Sequence, residues 1–109
     1  MKEVKAYIKK HKLDEVERSL RKIEGLTGFS VSEFQGHGAG WRGPGQEEAI
    51  AYQHGVKLEI ICRDDLVDQV VEHIAKAAHT GLKGDGKIYV ASIEQAVRIS
   101  TGERGERAV

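Results

Sequence analysis

The stretch TGLKGDGKIYV, residues 80–90, places Gly81, Gly84 and Gly86 within six positions, with Lys83 and Lys87 beside them. Glycines let a chain take positive φ and bring backbone N–H groups close to an anion, and successive N–H groups form an anion-binding nest. A lysine adds a positive point charge. The stretch is not a P-loop, because GxxxxGK[ST] and its strand-then-helix context are missing, and it is not a dinucleotide fingerprint. By spacing alone a plain helix-to-strand turn is the simpler reading, and a phosphate cradle is the other.

The remaining reactive residues form no catalytic set. His37 and His54 sit at the two ends of a glycine-rich segment, GHGAGWRGPGQEEAIAYQHG (36–55), and with Glu47 or Glu48 they offer a metal-binding alternative. Their spacing matches no zinc signature, so solvated loop histidines are the simpler reading. His73 and His79 read as surface residues. Trp41, the only tryptophan, lies in the same segment with Arg42. A large aromatic there is either an anchor for a partner or folded back on its own domain. Tyr52 offers a modification site that nothing local demands. Cys62 alternates in step with apolar neighbours and reads as a core thiol. No nucleophile–base pair and no paired carboxylates appear, so the chain reads as a non-enzyme.

Composition narrows the class further. With 109 residues, 39% of them hydrophobic, one domain spanning 1–109 is expected, of a size that often gains stability by oligomerising. Seventeen basic residues balance seventeen acidic ones, so no global field draws the chain onto nucleic acid or an anionic membrane. A single cysteine permits no internal disulfide. The N-terminal MKEVKAYIKK has no unbroken apolar region, and no run approaches the roughly 18 apolar residues of a spanning helix. The expectation is a cytoplasmic protein.

The elements that must position these residues follow from periodicity. Residues 3–9 alternate, with Val4, Ala6 and Ile8 on one face of a strand. KLDEVERSLRKIEG repeats Leu13, Val16, Leu20 and Ile23 at helical spacing, and Gly25 suits its end. FSVSEFQ (29–35) alternates again. The segment 36–55 carries six glycines and the only proline, and loops of that length are usually functional or disordered. VKLEIICR (56–63) is a strand with Val56, Leu58, Ile60 and Cys62 on one face. Asp64 or Asp65 can cap the next helix, whose stripe is Leu66, Val67, Val70, Val71 and Ile74. KIYVASI is the last strand, followed by EQAVRIS and a hydrophilic end. The order β-α-β-loop-β-α-β predicts an α+β, ferredoxin-like βαββαβ sandwich. Its open sheet face would carry Phe34 and Ile61, and a second subunit is the simplest cover.

Taken in order, KLDEVERSLRKI, TGFSVSEFQGHG, VKLEII, DDLVDQVVEHIAKAAHTG, GDGKIYV and VRISTGERGE resemble the PII nitrogen-regulatory signalling family. Together they cover nearly all of the chain outside the long loop. The resemblance implies a homotrimer that binds ATP or ADP between subunits as effector ligands, with Mg²⁺ left open and AMP a further candidate where clamp arginines are missing. It also implies that a T-loop, here about 37–55, docks on a membrane transporter or regulatory protein. Trp41, Arg42 and Tyr52 would then be partner-binding residues. The B-loop matches about 80–87, with Gly84, Asp85, Gly86 and Lys87 at its phosphate-binding end, and the C-terminal loop matches about 98–109. Arg98 matches a phosphate-binding arginine. Gly36 and Gly38 match the T-loop base. Gly28, Phe29, Ser30, Glu59 and Ile61 match segments lining base and ribose. Tyr7 stands where the family has an aliphatic side chain near the nucleoside.

The departures from that pattern fall on charge. The tyrosine motif of the type YRGAEY, uridylylated in some members, is missing, and the loop is shorter. Gly40 replaces a glutamine that helps hold Mg²⁺ and 2-oxoglutarate, and Gly55 replaces a lysine that pairs with the 2-oxoglutarate carboxylate. Ser100 and Ala39 replace arginines of the phosphate clamp and the T-loop base. A dicarboxylate without cationic and metal partners loses most of its charge-assisted bonds. The expectation is an adenine-nucleotide sensor with 2-oxoglutarate sensing weakened or lost. The rival from another class is a trimeric metal-binding protein using the loop histidines, resembling copper-tolerance proteins of the same trimeric fold.

Overall fold

A computed structural model describes residues 1–38 and 51–109 of the chain. The elements run β1 (Lys2–Lys9), α1 (Leu13–Arg21), β2 (Ser30–Gly38), β3 (Ala51–Cys62), α2 (Val67–Ala78) and β4 (Gly86–Ser92). The four strands form one sheet in the order β2-β3-β1-β4, and every neighbouring pair is antiparallel. The two halves interleave, because β3 separates β1 from β2. This is the ferredoxin-like α+β arrangement that the element order predicts.

The sheet's two faces are set by the register of the central strand. Val4 faces Ile60 and Val90 across the ladder, and Ala6 faces Leu58 and Ile88. A strand's side chains alternate faces, so one register choice puts the whole apolar set on the same face. Val4, Ala6, Leu58 and Ile60 are fully buried, and so are Val16 and Leu20 of α1 and Val70 and Ile74 of α2. The two helices cover this face and touch each other through a 2.8 Å hydrogen bond between Ser19 Oγ and His73 Nδ1. Cys62 belongs to the same core, and burial pushes its thiol up from the ordinary cysteine range.

Two local expectations are corrected. Neither Asp64 nor Asp65 caps α2; a 3-10 turn, Asp64–Leu66, leads into the helix and closes its own N–H···O bonds. The two carboxylates go elsewhere. The Met1 amine donates to Asp64 at 2.8 Å, and Arg63 Nη2 donates to Asp65 at 2.8 Å. Second, β2 and β3 run further than their alternation indicated. The ladder continues through Gly36↔Gln53 and His37↔Tyr52 to Gly38↔Ala51, so 36–38 and 51–55 are hairpin and not loop. The reason is that a two-stranded ribbon needs only backbone pairing, which its glycines still supply. Trp41, Arg42, Ala39, Gly40, Glu47 and Glu48 lie outside the described residues. Beyond β4 the chain continues through EQAVRIS without a further named strand. It enters a turn closed by the Val97↔Arg104 bridge and the Arg98 N–H to Glu103 carbonyl bond of 2.9 Å.

Leu58 sits at the centre of the buried face, so Leu58→Ala should cost about 2–5 kcal/mol through lost burial and a residual cavity. Urea unfolding of both chains checks this. A loss below about 1 kcal/mol would show that the core does not pack on this strand.

Candidate functional site

The open face of the sheet carries the site. Along β1 the side chains opposite the core are Glu3, Lys5, Tyr7 and Lys9. At the upper end of this face lies a cleft of about 800 Å³. The central strand contributes Tyr7 and Lys9, the hairpin Phe34, Gly36 and His54, the β3 face Lys57, the loop before β4 residues 83–85, and β4 itself Gly86, Lys87 and Tyr89.

Aromatic side chains line one part of the cleft. The Tyr7 ring meets Phe34 edge-on at 5.1 Å between centroids and Tyr89 edge-on at 6.1 Å. This geometry suits the ring quadrupoles and fixes three flat apolar surfaces together. Gly55 makes it possible. It lies opposite Phe34 in the ladder, and a Cβ there would collide with the Phe34 ring and the Ile8 carbonyl.

Cationic side chains line another part. Lys9, Lys57, Lys83 and Lys87 all reach the cleft. Lys9 Nζ is 3.2 Å from Asp85, and Lys57 Nζ is 3.1 Å from Glu59, whose hydrogen bond holds the Lys57 ammonium above its ordinary range. Lys87 makes no ion pair among the described residues. The loop that carries Lys83 joins the sheet at Gly86, and Lys87 is the next residue of β4. Gly86 has φ +109°, and a Cβ would fall on the Tyr7 carbonyl oxygen, so both conformation and close approach demand glycine.

Asp85 is turned back into its own loop. Its carboxylate accepts the Thr80 N–H at 2.8 Å and the Thr80 hydroxyl. The Thr80 hydroxyl, then its backbone N–H, with Lys9 adding charge, hold the Asp85 carboxyl far below the usual carboxylate range. What the cleft can do chemically is receive a flat ring against the aromatics and an anionic group against the lysines. Among the described residues it offers no nucleophile with an adjacent base.

The residues expected at a nucleotide site divide into two groups. Tyr7, Gly36, Gly84, Asp85, Gly86 and Lys87 line this cleft. Glu59 and Ile61 share the open face but lie opposite Lys5 and Glu3, further down the sheet. Ser30 pairs with Glu59, and Phe29 packs partly into the core edge next to it with Gly28 preceding. From Lys57 to Ile61 the strand runs about 13 Å at roughly 3.3 Å per residue, so one chain does not gather both groups. Gly38 is at the end of β2, opposite Ala51, beyond the cleft lining. Arg98 sits in the C-terminal turn, and neither it nor the exposed Ser100 reaches the cleft.

Phe34, Tyr89, Lys9 and Lys57 are cleft residues that the sequence reading did not single out as binding groups. The alternation that puts Tyr7 and Lys9 on one face was a usable signal. The register that sets Lys57 opposite Tyr7 was not visible until the strands were paired. As for the metal alternative, His37 pairs with Tyr52 and His54 with Gln35, on opposite strands of the hairpin. Among the described residues no group of three His, Cys, Asp or Glu side chains could hold a metal ion. Among them, too, no helix is long and apolar enough to cross a membrane.

Comparison with known proteins gives one answer. A family model described as Nitrogen regulatory protein P-II matches residues 1–103. The chain is 44% identical to the Nitrogen regulatory protein P-II of Bradyrhizobium diazoefficiens, 45% to that of Rhodospirillum rubrum and 46% to that of Rhodobacter capsulatus. Each match covers 100% of both chains.

Asp85 has a folded pKa below its ordinary value of 3.8, so its stabilising effect is fully present above that pH. The effect is lost as pH falls toward the folded value, because the unfolded chain takes the proton first. The stability gap between wild type and Asp85→Asn should therefore be constant from pH 7 to about 5 and should narrow by about pH 2.5. Urea titrations across that range check it, and a gap that stays constant to the acid end would contradict the loop geometry.

Proposed function

This chain belongs to the nitrogen regulatory protein P-II family of signal-transduction proteins, and from that premise we propose that it senses adenine nucleotides and relays their identity to a partner protein. The observation that carries the nucleotide reading is the cleft itself. Aromatic rings of Tyr7, Phe34 and Tyr89 and the lysine-bearing loop 83–87 converge on one space of about 800 Å³. A nucleotide has this same division between a flat base and an anionic chain.

In this reading the chain works as a homotrimer, with ATP, ADP or AMP held between neighbouring subunits. The second group of residues, Gly28, Phe29, Ser30, Glu59 and Ile61, then acts on a neighbour's ligand, together with Arg98. Trimer formation would also cover apolar side chains that one chain leaves in water. Val90 of the edge strand is 47% exposed, Val97 46% and Ile99 99%. The glycine-rich segment between β2 and β3, with Trp41 and Arg42, and with Tyr52 where β3 begins, carries the signal to a transporter or metabolic regulator.

Sensing of 2-oxoglutarate is weakened or lost in this account. Gly55 stands where a lysine would pair with its carboxylate, and the Phe34 ring and Ile8 carbonyl fill the space a side chain there would need. With Gly40 in place of a glutamine, the dicarboxylate lacks both its cation and its metal partner. The arginines replaced by Ser100 and Ala39 leave ATP with fewer charge-assisted bonds, so ADP or AMP competes well. Mg²⁺ has no required place in this scheme.

Calorimetry with ATP, ADP, AMP and 2-oxoglutarate tests the proposal. Adenine nucleotides should bind, and 2-oxoglutarate should not bind tightly even with ATP and Mg²⁺ present. Lys87→Ala should weaken ADP by about tenfold to a hundredfold, the weight of one hydrogen bond to a charged group. Absence of all nucleotide binding would overturn the proposal, and tight Mg²⁺-dependent 2-oxoglutarate binding would overturn its second half.

A further inference from the structure

The sequence reading placed Asp85 among the groups that touch a nucleotide, and the geometry gives it a different task. An unpaired carboxylate beside Lys9, Lys57, Lys83 and Lys87 would repel the anion those lysines attract. Asp85 is not unpaired. One of its oxygens, Oδ1, takes the Thr80 hydroxyl and lies 3.2 Å from Lys9 Nζ. The other, Oδ2, accepts the Thr80 N–H at 2.8 Å and lies 3.5 Å from His79 Nδ1. The Thr80 hydroxyl oxygen in turn accepts the Leu82 N–H at 3.1 Å and lies 3.4 Å from Lys9 Nζ.

These bonds close a ring through Thr80, Asp85 and Lys9. The ring joins the two ends of the loop that follows α2 and ties that loop to the end of β1. A six-residue loop with two positive-φ glycines, Gly81 and Gly84, would otherwise be free to take many shapes.

We infer that Asp85 and Thr80 are positioning residues for the phosphate chain: their clasp holds Gly84, Gly86 and Lys87 in the receiving conformation and removes the carboxylate's charge from the anion's path. The inference rests on the nucleotide reading above. It assigns the clasp to the phosphate part of the ligand and not to the base, because the aromatics that would meet the base are held by the sheet.

The test compares ADP with adenosine. Binding of each is measured by NMR titration for wild type, Thr80→Val, Thr80→Ser and Asp85→Asn, all as the full chain. Thr80→Val and Asp85→Asn should weaken ADP by about tenfold to a hundredfold, the cost of a slightly misplaced binding group, and leave adenosine unchanged. Thr80→Ser keeps the hydroxyl and should restore ADP binding close to wild type. Equal loss of ADP and adenosine would show a merely structural role and overturn the inference. ADP binding that Thr80→Val and Asp85→Asn leave unchanged would overturn it alone. A wild-type chain that binds no ADP would overturn the nucleotide reading, and this inference with it.

Discussion

Gly86 packs its backbone directly against the Tyr7 carbonyl, and the rest of the site depends on that approach. At this one point the glycine-rich loop is fastened to the central strand of the sheet. Any side chain at Gly86 would push β4 away from β1 and carry Lys87 and the loop with it. The contact sets the lysines beside Tyr7, whose ring in turn orders Phe34 and Tyr89. The cleft therefore takes its shape from the sheet, and most of its charge as well, since Lys9, Lys57 and Lys87 stand on strands and Lys83 on the loop.

A second glycine does similar work on the hairpin side. Gly55 clears space for the Phe34 ring at the place where β3 emerges from the core. The aromatic wall and the absence of a cation at position 55 are thus one feature, since no side chain can stand there while Phe34 lies across the strand. This links the aromatic part of the cleft to the proposed loss of a dicarboxylate partner. It also separates this chain, at the level of packing, from one in which a lysine occupies the same position.

Much of this architecture was legible in the sequence. The alternation of Val4, Ala6 and Ile8, the parallel run of Val56, Leu58, Ile60 and Cys62, and the stripe of Val70 and Ile74 name the core correctly because burial acts on period. The order of elements then leaves the ferredoxin-like sheet as the natural closure. Capping was not legible. Asp64 and Asp65 have the right types for an N-cap, but the Met1 amine and Arg63 are stronger partners in space. The strand ends of the hairpin were also hidden, since Gly36, Gly38 and Gly55 read as loop although ladder pairing needs only their backbone.

The site was legible in part. TGLKGDGK marks the lysine-bearing stretch beside the cleft, and of the residues the family resemblance named, Tyr7, Gly36, Gly84, Asp85, Gly86 and Lys87 line it. Sequence alone could not say that Asp85 faces inward to Thr80, because the same GDGK serves equally as a ligand contact or as a clasp. Nor could it reveal Lys57 opposite Tyr7, which depends on register. The central claim is that this cleft holds a nucleotide's phosphates against a loop clasped by Asp85. A crystal structure of the chain grown with ADP tests it most directly. The account predicts the diphosphate against Gly84, Gly86 and Lys87, with Asp85 still bonded to Thr80. A diphosphate bound elsewhere, or Asp85 released from Thr80 to reach the ligand, would contradict it.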